Sequence, residues 1–167
     1  MAKNGTSNVL LKLKASVEEG KYYEAHQMYR SVCNRYVKAK NYDKAVRLLA
    51  SGARVLLDHE QYGSGVDLAL YLVEVYASAE FPVDKKRLGL IVELIDRIPT
   101  NVQSRKQLIA ASILWTAKAS GTPSGNAELH DHVGALYWKE GDFAEAERHF
   151  FLGTTEGAAA WGEMLYE

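Results

Sequence analysis

Histidines and a lone cysteine are the first residues in this sequence to test for chemistry. His130-Asp131-His132 places two imidazoles and a carboxylate within three residues, and these are groups that bind divalent metal ions. On a helix, however, residues two apart point in different directions, so the two rings cannot ligate one ion. Cys33 has no second cysteine to pair with and no zinc-like spacing around it. The sequence therefore predicts no metal site, and Cys33 is expected in the core.

His26 is the next candidate, because helical spacing groups it with Tyr23, Gln27 and Arg30. It could act as a base in principle, yet the sequence offers no nucleophile nearby. There is also no Gly-rich phosphate loop, no His-Glu-x-x-His motif, no paired-cysteine zinc pattern and no serine elbow. We therefore expect a protein that is not an enzyme, with no catalytic residue and no cofactor. His26 is interpreted as a surface recognition residue.

One predicted helix face carries four cations that could neutralise several phosphates, namely Lys40, Lys44, Arg47 and Arg54. A nucleic-acid-binding helical domain is therefore an alternative. No recognised nucleic-acid motif accompanies them, and the pI of about 6.5 is far below the value typical of such domains. We expect no nucleic-acid partner.

Charge is distributed unevenly along the chain. Residues 1–54 hold eleven Lys or Arg against four acids, whereas residues 55–167 hold nine against seventeen. Such a gradient is typical of a solvated basic face or of a surface that meets an acidic partner. The first residues lack the apolar core of a signal peptide, and no later run approaches the ~18 apolar residues of a membrane span. We expect a cytosolic protein with no direct membrane insertion.

The elements that would position these residues are helices throughout. Apolar residues recur with the helical period in segment after segment, and no stretch of useful length alternates as a half-buried strand does. Ser7, Ser64 and the pair Thr100 and Gln103 are predicted helix caps, and residues 121–126 are predicted to be a flexible loop. The last helix stops in mid-pattern, which suggests a fragment. We predict one all-α domain over residues 1–167, with helices at about 8–19, 22–38, 43–57, 64–79, 84–98, 101–120, 127–140, 143–152 and 155–167.

Three helix starts share a pattern of a small or basic residue, any residue, an aromatic, two further residues and alanine. It occurs at residues 20–25, 40–45 and 141–146. The aromatic ring can fill the gap between adjacent helix hairpins, while the alanine allows two backbones to approach closely. The step from Ala25 to Ala45 is shorter than the roughly 34-residue tetratricopeptide repeat. The pattern favours an irregular, tetratricopeptide-like α-solenoid of antiparallel helix hairpins.

Polar stripes mark two of the predicted helices. On the second helix Tyr23 is phased outward, whereas Tyr22 is phased with the core. The fourth helix is apolar around most of its circumference, and one narrow line remains polar, formed by Asp67, Tyr71, Glu74 and Ser78. Alternate helices of a solenoid share a layer, so the two stripes could lie side by side. A plain solvated face, or for Asp67 a favourable position near a helix N-terminus, would explain the same residues.

The stretch of residues 21–30, followed by Asn34-Arg35-Tyr36, resembles the solenoid scaffold family called Golgi to ER traffic protein 4. Further segments match in the same order, among them residues 50–53, 63–68, 72–76, 129–130, 137–140 and 147–150. The resemblance covers nearly the whole chain, which would be the N-terminal part of the family. It departs at residues 121–126, and the chain ends where the family continues into a second half.

The resemblance implies a cytosolic adaptor for the targeting of tail-anchored membrane proteins to the endoplasmic reticulum. Its N-terminal helices would dock and regulate the dimeric targeting ATPase, while the second half would bind a ubiquitin-like partner subunit. The binding residues carried over by motif position are Tyr22, Tyr23, His26, Gln27, Arg30, Asp67, Tyr71 and Glu74. Acidic and basic groups are expected to make separate contacts with that partner. A generic tetratricopeptide-like adaptor that binds a peptide in a groove is the alternative.

Overall fold

The computed structural model describes the backbone of residues 2–166 and the side chains of residues 8–166. Every regular element in this part of the chain is an α-helix, and it contains no strand, so the all-α prediction is confirmed. The helices are α1 (Ala2–Glu18), α2 (Tyr22–Lys38), α3 (Tyr42–Asp58), α4 (Tyr62–Ser78), α5 (Lys85–Asp96), α6 (Ser104–Ser120), α7 (Ala127–Lys139), α8 (Phe143–Phe151) and α9 (Thr155–Tyr166). They form two compact units, Met1–Ala79 and Glu80–Glu167.

The first unit repeats every 20 residues. Each of α1 to α4 is 17 residues long, and three residues separate each helix from the next. The three turns are alike, because Gly20, Lys40 and Glu60 each have a positive φ. In each turn, the N–H of the residue after the positive φ donates a hydrogen bond to the carbonyl oxygen five residues earlier, as from Asn41 to Tyr36 at 2.8 Å. This is the Schellman ending, which satisfies otherwise unpaired carbonyls at a helix C-terminus.

Lys40 and Glu60 hold a left-handed backbone that disfavours residues with a Cβ by about 1–2 kcal/mol. Glycine avoids this cost but loses more entropy on folding. We therefore expect Lys40→Gly and Glu60→Gly each to raise the free energy of unfolding by about 0.5–1 kcal/mol, measured by urea denaturation. Gly20→Ala is the reverse test at the matching position and should lower it. Stability that falls in both glycine variants would contradict this account.

The core of the first unit lies between α2, α3 and α4. Tyr29, Leu49 and Leu72 are fully buried, and α4 buries residues on most of its circumference, as its apolar sequence predicts. Cys33 is also buried, with its Sγ 3.9 Å from the Ala45 carbonyl oxygen. Burial raises the pKa of the Cys33 thiol to about 11, so the group stays protonated and unreactive. The expected core position of Cys33 is therefore confirmed.

Three predicted helix caps differ from the structure. The first helix begins at Ala2, so Ser7 lies inside it, although the Ser7 side chain is outside the described residues. The α4 helix begins at Tyr62, which places Ser64 within its first turn. Helix α6 begins only at Ser104, and Gln103 makes no capping hydrogen bond. In the first unit the three-residue turn sets the helix start, and it overrides the local preference of serine and glycine for turns.

In the second unit, α7 and α8 form an antiparallel pair and α9 follows α8. The Asp131 carboxylate on α7 accepts hydrogen bonds from the Thr154 N–H at 3.0 Å and the Thr154 hydroxyl at 2.5 Å. A carboxylate at a helix start satisfies unpaired N–H groups and favours the helix dipole. Asp131 thus holds Thr154, whose hydroxyl oxygen accepts a hydrogen bond from the Gly157 N–H of α9 at 2.9 Å. Residues 121–126 are also held, since the Asn126 N–H donates to Thr116 Oγ1 at 3.0 Å.

Candidate partner-binding site

The polar stripes of α2 and α4 meet at one carboxylate. Asp67 Oδ2 lies 2.7 Å from Nε2 of His26 and accepts a hydrogen bond from Arg30 Nη1 at 2.6 Å. The helical period places His26 and Arg30 one turn apart on α2, so both can reach the same residue of α4. The structure therefore brings together three of the residues predicted from sequence. Sequence spacing alone could not show that they bond to each other.

Tyr71 lies one turn beyond Asp67 and completes the cluster. The Arg30 guanidinium carbon lies 4.9 Å from the centre of the Tyr71 ring, within range of a cation–π interaction. The Tyr71 hydroxyl donates to Asn34 Oδ1 on α2. Burial, together with the neighbouring Cys33, raises the pKa of Tyr71 to about 12. Its hydroxyl therefore remains protonated and acts as a hydrogen-bond donor that ties α4 to α2.

The cluster is charged but only partly shielded from solvent. Burial opposes ionisation of Asp67, yet the hydrogen bonds from His26 and Arg30 outweigh it and lower the pKa of that carboxyl. The side chains of Arg30 and Asp67 are 37% and 41% exposed, so a partner could still reach both. The expectation of separate acidic and basic contacts with a partner stays a prediction. Arg30 and Asp67 neutralise each other, and they present a dipole in place of two independent charges.

The other predicted residues lie on the same two helices as this cluster. Tyr23 is 75% exposed, and Gln27 and Glu74 are exposed as well. Tyr22 is half-buried, and its ring centre lies 5.8 Å from that of His59, the C-cap residue that follows α3. Tyr22 is thus a packing residue in this structure, as its helical phase predicts, whereas Tyr23 points into solvent.

Asn34 belongs to this site, and the sequence reasoning did not select it. It is exposed and accepts the hydrogen bond from Tyr71, which joins α2 to α4 at a second place. Its position four residues after Arg30, on the same helix face, was the available signal.

The histidines that first suggested metal binding have other partners. His132 Nε2 lies 2.7 Å from Asp96 Oδ1, His130 Nδ1 lies 3.0 Å from His149 Nδ1, and Asp131 bonds Thr154. Within the described part of the chain, no three His, Cys, Asp or Glu side chains are grouped so as to hold a metal ion. None of the described helices combines the length and the apolar character needed to cross a lipid bilayer.

Comparison with known proteins gives a consistent result. Residues 39–167 match the family described as Golgi to ER traffic protein 4. The protein of that name from Schizosaccharomyces pombe is 39% identical over 144 residues, which are 86% of this chain and 47% of that protein. The homologue from Bos taurus is 34% identical over 165 residues, or 99% of this chain and 50% of that protein.

A solved structure agrees with the sequence matches. The crystal structure of C. therm. Get4 superposes with a TM-score of 0.87 at 36% identity, covering 92% of this chain and 50% of that one. That protein is a helical solenoid, and the predicted α-solenoid class is confirmed. The chain spans about half the length of the relatives it matches. On these matches of sequence and of fold, the chain belongs to the Golgi to ER traffic protein 4 family.

Proposed function

We propose that this chain is a cytosolic, non-enzymatic adaptor that docks the ATPase of the tail-anchored protein targeting pathway. The docking surface comprises Tyr23, His26, Gln27, Arg30, Asp67 and Glu74, and the more buried Tyr22 and Tyr71 support it from beneath. Family membership supports the pathway, and the α2 and α4 cluster supports the location. The ubiquitin-like partner subunit would bind the part of the family that lies outside this chain.

The observation that carries the proposal is the half-exposed ion pair between Arg30 and Asp67. Pairs with this exposure contribute little to folding, about 0–1 kcal/mol, so stability alone gives weak reason for their presence. In an interface such groups determine orientation, specificity and association rate. Tyr23 beside them offers a large exposed aromatic side chain, a type of residue that often carries much of the binding energy.

Exchanging the charges of Arg30 and Asp67 distinguishes an effect on docking from an effect on folding. Arg30→Asp and Asp67→Arg each break the ion pair, whereas the double variant restores it with the opposite orientation. We expect all three variants to weaken binding to the purified ATPase at least about tenfold, or roughly 1.4 kcal/mol. In the double variant, a partner that is complementary to the original pair would meet each charge in the wrong place. Calorimetric titration with and without ATP measures this.

Circular dichroism checks that each variant is folded, and Arg148→Glu is the control, because Arg148 is 68% exposed on the second unit. Binding that is lost in the single variants but restored in the double variant would mean that the pair only supports the fold. Unchanged affinity in all three would place the docking surface elsewhere.

A further inference from the structure

Helix α9 is held to the rest of the second unit mainly at two places. None of its residues is buried, although Trp161 and Leu165 are spaced to share one side of the helix. Its start lies against the Asp131 carboxylate of α7, and further along it Trp161 lies against Phe150 of α8. An element that buries so little opens at low free energy unless specific contacts hold it closed.

The first contact is a set of hydrogen bonds around Asp131. Its Oδ1 accepts from the Thr154 N–H at 3.0 Å, and its Oδ2 accepts from the Thr154 hydroxyl at 2.5 Å. The hydroxyl oxygen of Thr154 accepts in turn from the Gly157 N–H in the first turn of α9 at 2.9 Å. Thr154 therefore acts as a helix cap that is itself bonded to α7. We call this set of bonds the Asp131 lock.

Two glycines allow the chain to come this close to the carboxylate. A Cβ added at Gly153 would lie 1.9 Å from Asp131 Oδ1, and one added at Gly157 would lie 2.0 Å from the same atom. Either the helix or the carboxylate would have to move, and both movements break the bonds to Thr154. At Gly162, also in α9, an added Cβ would meet no atom within 4 Å. The need for glycine is thus specific to the place where α9 meets Asp131.

The second contact covers an aromatic side chain. Phe150 is 3% exposed. On one side it lies against α7, where a Cβ added at Gly134 would be 2.9 Å from Phe150 Cδ1. On another side the Trp161 ring stacks on it, with the ring centres 6.2 Å apart and the planes at 21°. Moving α9 away would therefore uncover part of Phe150.

We infer that α9 is a hinged strap that closes over Phe150 and is held shut by the Asp131 lock. When the lock opens, α9 moves as one body about residues 152–154 and exposes the facing sides of Phe150 and Trp161. Helices α7 and α8 stay folded, because they keep their own contacts, such as the stacking of Tyr137 on His149 at 5.7 Å. The inference does not depend on the proposed docking function, since every group in it belongs to the second unit.

Two matched glycine variants test the strap by hydrogen exchange in the intact chain. Gly157→Ala and Gly162→Ala each place a better helix former inside α9. If α9 were only a frayed helix, both variants would raise the protection factors of its amides. We expect Gly162→Ala to raise them by up to about fivefold. We expect Gly157→Ala to lower them at least about threefold, because the added Cβ breaks the Asp131 lock.

A variant on α7 tests the lock from its other side. Asp131→Ala removes both acceptors of Thr154 and should lower the protection factors of α9 about tenfold. The amides of α7 and α8, and those of α2 as an internal reference, should change less than about twofold. Higher protection of α9 in both glycine variants would overturn the inference. So would an equal loss of protection in α8 and α9 on Asp131→Ala, because the carboxylate would then support the whole unit and not the strap.

Discussion

Arg105→Met is expected to lower the free energy of unfolding by about 3–5 kcal/mol, because it leaves a shielded carboxylate without its partner. Arg105 forms two parallel hydrogen bonds to Glu140, at 2.8 and 2.6 Å, and the two side chains are only 3% and 18% exposed. Burial opposes the charge of Arg105, but Glu140 outweighs it and raises the pKa of the guanidinium. The pair also secures the end of α7, since Glu140 is its C-cap.

The double variant Arg105→Met with Glu140→Leu should recover most of that loss, because a buried ion pair and an apolar pair of similar size are often equally stable. Urea denaturation of the wild type, both single variants and the double variant gives the coupling energy. Arg148→Met is the surface control, as its bond to Glu145 is exposed, and it should cost less than about 0.5 kcal/mol. If Arg105→Met lowered the free energy of unfolding no more than Arg148→Met, burial would add nothing to the strength of the pair of Arg105 and Glu140.

The sequence predicts neither this pair nor the contact between His130 and His149, for the same physical reason. Arg105 and Glu140 lie 35 residues apart, and His130 and His149 lie 19 apart, on different helices. Helical periodicity assigns each residue to a face of its own helix, but it does not specify which residue of another helix it meets. Arg105 is the clearest case, since a charged residue at a helix start is normally assigned to the surface.

More of the candidate site than of these buried contacts can be predicted from the sequence. Its two stripes follow from helical phase alone, and a solenoid layer brings alternate helices together. That the stripes share one carboxylate, and that Asn34 takes part, follows only from the three-dimensional structure. The pattern at the helix starts also reveals the repeat only in part. A further copy at residues 60–65, the third in the first unit, has the aromatic Tyr62, but Gly65 stands where the other copies have alanine, and glycine at this place favours the prediction of a turn.

The copy at residues 60–65 leads to the second large effect. Ala25, Ala45 and Gly65 occupy equivalent places in α2, α3 and α4, and all three are buried. A Cβ added to Gly65 would lie 2.6 Å from Leu57 Cδ2 and 3.2 Å from the Leu57 backbone nitrogen. The leucine side chain could turn aside, but the backbone of α3 could not. We expect Gly65→Leu to lower the free energy of unfolding by about 3 kcal/mol, at the upper end for overpacking.

Gly63→Leu is the matched control, two residues earlier in the same helical turn, where an added Cβ meets no atom within 4 Å. It should be close to neutral or slightly stabilising, because leucine favours a helix more than glycine does. Thermal and urea denaturation of both variants measures the difference. If the two variants were equally stable, the small size of Gly65 would not be needed for the packing of α4 against α3. A large difference would mean that the smallest residue of the repeat sets the distance between α3 and α4, and with it the layer in which Asp67 meets Arg30.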